Sequence, residues 1–179
     1  MISLLNPAPS HQRLRIILLW VTTIVWAGVI YFLSTETFGA RFSAWLLENI
    51  LRLLHLHVSA ATFELLHIIL RKSAHLTEYA IFSLFLYHAF EGIQPHAWRL
   101  RRAIFAVLAA ALYSLTDEYH QTFEPGRTAS LVDCGIDTLG AIAGMLVLYG
   151  NSRVIQAKSK RPAAESARMA EVAKGVAGE

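Results

Sequence analysis

Residues 16–35 read IILLWVTTIVWAGVIYFLST, twenty positions without one charged side chain. At about 1.5 Å of rise per residue, a helix of that length crosses a hydrocarbon core about 30 Å thick. Arg13 and Arg15 precede the run, as basic residues precede a secretory signal. The run is longer than the ~7–15 apolar residues of a signal's core, however, and no small-x-small cleavage pattern follows. It therefore predicts an uncleaved first transmembrane helix. Nothing on it invites chemistry, so its expected role is scaffold.

The rest of the chain agrees with lipid as solvent. Of 179 residues, 55% are hydrophobic and 16% charged, where soluble domains carry roughly 25% charged residues. Mean hydropathy is +0.43. The net charge is +3 and the pI about 9.2. The basic residues flank apolar runs, which makes them topology signals and anionic-lipid contacts rather than a nucleic-acid surface. Nucleic acid is not an expected partner; membrane lipids are. A single cysteine, Cys134, excludes an intrachain disulfide framework and a CxxC metal site.

Beyond the first span, residues 36–72 are apolar but interrupted by charge. Phe42, Trp45, Leu46, Ile50, Leu53 and Leu54 recur at helical spacing, while Arg41, Glu48, Asn49 and Arg52 fall elsewhere. This is the pattern of an amphipathic helix lying in the membrane interface. A short piece from Ala61 to Leu70 leads toward a second span over about 73–90. A turn at Gly92–Pro95 separates it from a third, about 103–116. A fourth span follows over about 131–149. The expected fold is all-α: a polytopic membrane bundle of about four transmembrane helices, with an interfacial helix between the first and second. The expected organisation is an N-terminal segment (1–15), a transmembrane domain (16–150) and a basic, Ala-rich tail (151–179). Arg13, Arg15, Arg99, Arg101, Arg102, Arg153, Lys158, Lys160 and Arg161 fall on one side of this arrangement. That bias puts both termini in the cytoplasm, although Arg41, Arg52, Arg71, Lys72 and Arg127 lie on the other.

The unusual polar residues gather at that other side. The second span starts with Lys72, His75, Glu78 and Tyr79. The third ends in Asp117, Glu118, His120 and Gln121. The fourth opens on Asp133 and Asp137. The uncharged part of the third span covers only about 21 Å of the core. Either the helices are mismatched to the bilayer or these groups enter its outer third, where ionisable side chains are costly and mark function. Lys72, His75 and Tyr79 share a helical face, as do Ala106, Ala110, Tyr113, Asp117 and His120 or Gln121. Asp133, Asp137, Gly140 and Gly144 share another, and a Gly-xxx-Gly pair admits a second backbone. The small residues of the third and fourth spans predict that those two pack together, with their acids facing His75 and Lys72 in an outward-opening polar pocket. Glu124-Pro125-Gly126-Arg127 fits a type II turn that would fold Arg127, suited to carboxylate or phosphate, over it.

These residues carry a family resemblance. RKSAHLTEYAIFSLFLY (71–87) and SLTDEYHQTFEPGRTASLVDCGIDTLGAIAG (114–144) resemble the VanZ-like family of bacterial membrane proteins. The match runs through Lys72, His75, Glu78 and Tyr79, then Asp117, Glu118, His120, Gln121, Phe123, Pro125, Gly126 and Arg127, then Asp133, Gly140 and Gly144. Position 137 is Asp where the family favours Asn. The resemblance covers roughly residues 16–149. It implies a bacterial plasma-membrane protein and, through the family's namesake, a link to susceptibility to the glycopeptide teicoplanin.

Four readings of the cluster follow from its residue types. In the first, Lys72 and Arg127 hold an anionic, lipid-linked cell-envelope molecule, contacted also by Tyr79, Gln121, Asp133 and Asp137. His75 or His120 then acts as acid or base beside Glu78, Asp117 and Glu118. No G-x-S-x-G nucleophile pattern is present, which leaves open whether the protein is an enzyme. In the second, His75, Glu78, Asp117, Glu118, His120, Asp133 and Asp137 supply ligands for zinc, manganese or magnesium. The third is a proton-coupled transport relay. The fourth is a closed ion-pair network that locks the helices together.

Overall fold

The structure, a computed structural model, describes residues 9–35, 38–91, 98–123 and 130–176. Among them it is all-helical. The elements are α1 (Pro9–Leu33), α2 (Ala40–Leu53), α3 (Ala60–Glu91), α4 (Leu100–Gln121) and α5 (Leu131–Val176). The turns at Gly92–Pro95 and Glu124–Arg127 lie outside the described residues.

α3 is the central element, in contact with each of the other four helices. It is longer than the span read from sequence: the 61–70 piece and the 73–90 span form one continuous helix of 32 residues. The tail after Asn151 likewise continues α5 as helix to Val176.

The core is small and aromatic. Tyr79, Phe82, Leu86 and Tyr87 of α3 meet Ala103, Ala106 and Ala110 of α4 and Ala141 and Met145 of α5. The alanines, spaced three and four apart, bring α4 close to its neighbours. The glycines do something other than expected. A Cβ on Gly140 would meet the Leu76 carbonyl oxygen and lie 2.9 Å from the Leu76 Cα. On Gly144 it would lie 2.5 Å from the Ala80 oxygen. Gly140-x-x-x-Gly144 is thus the contact with α3, not the expected seam with α4. Ser83 Oγ seals that contact by donating to the Ala141 carbonyl at 3.0 Å.

α1 docks through two hydrogen bonds from amphipathic aromatics: Trp26 Nε1 donates to the Glu78 carbonyl at 3.0 Å, and Tyr113 Oη to the Ala27 carbonyl at 2.7 Å. The rest of α1 faces outward, with Leu14, Ile17, Leu18, Val21, Ile24 and Val25 all 47–65% exposed. Ile104, Phe105, Leu108 and Leu112 of α4 and Leu139, Leu146 and Val147 of α5 are also exposed. An apolar surface on this scale requires an apolar solvent or partner. Two helical segments, His11–Leu33 and Leu131–Ala157, are long and apolar enough to cross a membrane.

α2 has the two-sided character read from its sequence. Leu47 and Leu51 are buried, whereas Phe42, Trp45, Ile50 and Leu53 are exposed. A hydrogen bond of 2.7 Å between Ser43 Oγ and His67 Nε2 ties it to α3.

Candidate functional site

The α3–α5 contact through Gly140 and Gly144 sets the register of the polar cluster. It brings the first half of α3 level with the start of α5, and the C-terminal turns of α4 close the third side. Asp117, Glu118, Gln121, Asp133 and Asp137 are all buried there. The α4 face runs Ala103, Ala106, Ala110, Ser114, Asp117, Glu118 and Gln121. Of the two residues the periodicity left open, Gln121 is therefore the inward one. His120 is half-buried against Tyr31 of α1, ring centroids 4.3 Å apart.

Part of the cluster is bonded to itself. Lys72 Nζ donates to Asp133 Oδ1. This ion pair ties α3 to the first turn of α5. Glu118 Oε2 accepts the Ser130 backbone N–H at 2.6 Å. This carboxylate sits just ahead of α5, where the helix's free N–H groups favour negative charge. Gln121 Nε2 bridges Asp117 Oδ2 at 3.1 Å and Glu118 Oε1 at 3.4 Å. These contacts are scaffold.

A second set is bonded so as to aim at a cavity. Asp137 is fully buried and bridges two elements: Oδ2 accepts from Ser114 Oγ at 2.6 Å, and Oδ1 lies 3.1 Å from His75 Nδ1. A carboxylate on Nδ1 fixes the imidazole's orientation and leaves Nε2 for another partner. His75 lines a cavity of about 170 Å³ together with Glu78, Arg71 and Asp117. The rest of its wall is mainly apolar, with Ile30 and Leu33 near the end of α1 and Phe42 and Leu46 on α2. Asp117 Oδ1 and Ser34 Oγ, both buried, face each other at the cavity wall and have no other polar partner among the described residues. Buried polar atoms are ordinarily partnered, so a buried carboxylate oxygen facing a cavity invites a donor.

The structure thus joins His75, Glu78 and Asp117 at one cavity, and places Asp137 behind His75. Tyr79 is fully buried in the core beneath them and does not line the cavity. Arg127 lies outside the described residues. Two cavity residues and one element are not apparent from the sequence: Arg71 reads only as a topology signal, Ser34 follows a helix that reads as plain scaffold, and α2 reads as an interfacial helix with no part in a site. The only available signal was Arg71's position one residue before the Lys72 motif. Among the described residues no three His, Cys, Asp or Glu converge as a metal-binding group, so the acids and histidines do not assemble as the metal reading requires.

The family model described as VanZ/LLP1 matches residues 19–155, more than half of the chain. The protein belongs to the VanZ/LLP1 family. No curated protein and no solved structure matches it. Family membership and the two long apolar helices together make this a membrane protein. The matched region contains every residue that lines the cavity, from Ile30 to Asp117. Within this VanZ/LLP1 chain, Asp137 takes the central buried position, bonded to both α3 and α4.

Proposed function

We propose that the chain crosses the bacterial plasma membrane four times, through α1, α3, α4 and α5, with both termini in the cytoplasm. The cavity under α2 then lies in the outer leaflet and binds the polar head of an anionic, lipid-linked cell-envelope molecule. Length supports the crossings. The 22 residues of α4 rise about 33 Å, enough for a core about 30 Å thick, and α3 is longer still. The exposed apolar side chains of α4 face what is then lipid.

The observation that carries the binding reading is the cavity's two-sided lining. Apolar residues of α1 and α2 meet Arg71, Glu78, His75 and a buried Asp117 oxygen whose one polar neighbour is Ser34. Such a site suits a ligand whose head carries an anionic group for Arg71 and hydroxyl or amino donors for Asp117, as a sugar phosphate does. A volume of about 170 Å³ is smaller than the ~300–1,000 Å³ typical of pockets that enclose a whole ligand. It therefore takes a headgroup while the tail stays in lipid beside α2. His75, oriented by Asp137, is placed to exchange a proton with that head. A change in teicoplanin susceptibility would be one phenotype of such binding.

Extraction of the protein into native nanodiscs and mass spectrometry of the retained lipids tests this. The wild type is expected to retain a phosphate-bearing lipid-linked species. Asp117→Asn and His75→Gln are expected to weaken retention by about 10- to 100-fold, the worth of one charge-assisted hydrogen bond, at unchanged membrane abundance. An identical lipid profile in all three proteins would sink the proposal. For the topology, a cysteine beside Arg127 is expected to react with an impermeant label from outside intact cells. Labelling only after permeabilisation would refute it.

The ion-pair network reading keeps support of its own from the Lys72–Asp133 pair, which needs no ligand to be satisfied, beside the hydrogen bond that Glu118 accepts from the Ser130 N–H. The two readings divide the cluster between them. A transport relay fares worse, because Phe82, Leu86 and Met145 fill the core toward the basic end of the bundle.

A further inference from the structure

The end of the bundle opposite the polar cavity has a separate binding chemistry. A groove of about 550 Å³ runs between the N-terminal half of α4 and the C-terminal part of the α5 span. Buried Ala103 and Met145 form its floor, and Ile104, Leu108, Ile142 and Leu146 its exposed walls. Tyr149 and Trp98, whose ring centroids are 5.3 Å apart, close its end. Trp98 also stacks on Tyr87 at 5.3 Å and 14°, and Tyr87 Oη accepts the Arg99 N–H at 3.0 Å. The closed end is thus a fixed aromatic floor beneath the start of α4.

Cationic groups cluster at that closed end. Arg153 lies one turn beyond Tyr149 on the same face of α5, with its guanidinium 5.9 Å from the Tyr149 ring centroid. Arg99 and Arg101, at the start of α4, are exposed. Tyr and Trp rings at one level with arginines just beyond them mark the depth of lipid headgroups. An apolar channel that ends in arginines complements one kind of occupant in charge and shape, a phospholipid with an anionic head. We propose that this groove is a binding site for an anionic phospholipid: one acyl chain lies along Ile104, Leu108 and Leu146, and its phosphate meets Arg101 and Arg153. The site is independent of the cavity beside His75.

The test is native mass spectrometry of the delipidated, full-length protein titrated separately with phosphatidylglycerol and phosphatidylcholine. Phosphatidylglycerol is expected to bind about 30-fold more tightly, the scale set by two arginines at a membrane surface. The double substitution Arg101→Gln and Arg153→Gln is expected to reduce that preference to roughly two-fold or less, with phosphatidylcholine binding unchanged. Leu146→Trp, which fills the groove from its exposed wall, is expected to lower binding of both lipids. Equal binding of the two lipids by the wild type would overturn the proposal, as would a preference that survives the double substitution. So would efficient crosslinking between Leu108→Cys residues of two copies, which would place a second copy in the groove.

Discussion

Gly140→Ala is expected to cause the largest loss of folded protein of any single-methyl addition in α5. The new Cβ would lie 2.9 Å from both the Leu76 Cα and its carbonyl carbon, and closer still to the carbonyl oxygen. These are backbone atoms of a regular helix, so they cannot swing aside as a side chain would. Relief requires α3 and α5 to separate, and that contact sets the register of Lys72 with Asp133 and of His75 with Asp137. Overpacking of this kind costs typically about 1–3 kcal/mol. Here the cost falls at the upper end, because a backbone is obstructed and the two polar pairs are displaced with it. Gly135→Ala, on the same helix, is the control. A Cβ there meets nothing within 4 Å, and the better helix propensity of alanine favours it by about 1 kcal/mol. Thermal unfolding in one detergent is expected to show Gly140→Ala well below the wild type and Gly135→Ala level with it or above. Equal melting of the two variants would mean that the α3–α5 approach is looser than described.

The same glycines show how far the sequence can be read. A Gly-xxx-Gly pair on a face with two acids announces close helix packing, and the structure has it. Which helix approaches is not written in that spacing, because the small residues of α4 present an equally plausible partner. The choice depends on α3, where Leu76 and Ala80 offer bare backbone between Lys72, His75 and Tyr79. The amphipathic helix was legible for a related reason: its exposed stripe of Phe42, Trp45, Ile50 and Leu53 must face an apolar medium wherever it docks. Its docking face, Leu47 and Leu51, was not. Two leucines among many carry no label, and only the fold shows α2 against α3 with the cavity beneath.

The candidate site was legible as a list of residues but not as roles. Lys72 and Arg71 are neighbours in sequence, yet about 100° apart around a helix. One turns to Asp133 and the other lines the cavity. Glu118 and Asp117 are separated in the same way, one holding the start of α5 and the other leaving an oxygen to the cavity. An acidic pair in sequence thus becomes one structural and one available carboxylate. Helical phase decides this, but only when the orientation of three helices is known together.

Asp137 is where structural and functional readings make opposite demands, and its substitutions are expected to separate them. Leu in its place keeps the branched shape but is bulkier, and it removes both hydrogen bonds at once. Ser114 Oγ and His75 Nδ1 would each lose a buried partner, at about 1–3 kcal/mol apiece, so the membrane abundance of Asp137→Leu is expected to collapse. Asn is different. Its carbonyl oxygen can still accept from Ser114, and its amide remains within reach of His75, so the fold is expected to persist with near-normal abundance and melting. What changes is the proton on the imidazole. A carboxylate accepts from Nδ1–H and leaves Nε2 free of a proton to act as acceptor in the cavity. The amide donates to Nδ1 and forces the proton onto Nε2. Nitrogen-15 NMR of labelled histidine is expected to report that tautomer switch at His75, accompanied by weaker retention of the lipid-linked ligand. Asp137→Asn with an unchanged His75 tautomer and full ligand retention would show that the carboxylate serves packing alone. A folded, ligand-retaining Asp137→Leu would show that the bridge between α3 and α4 carries neither role.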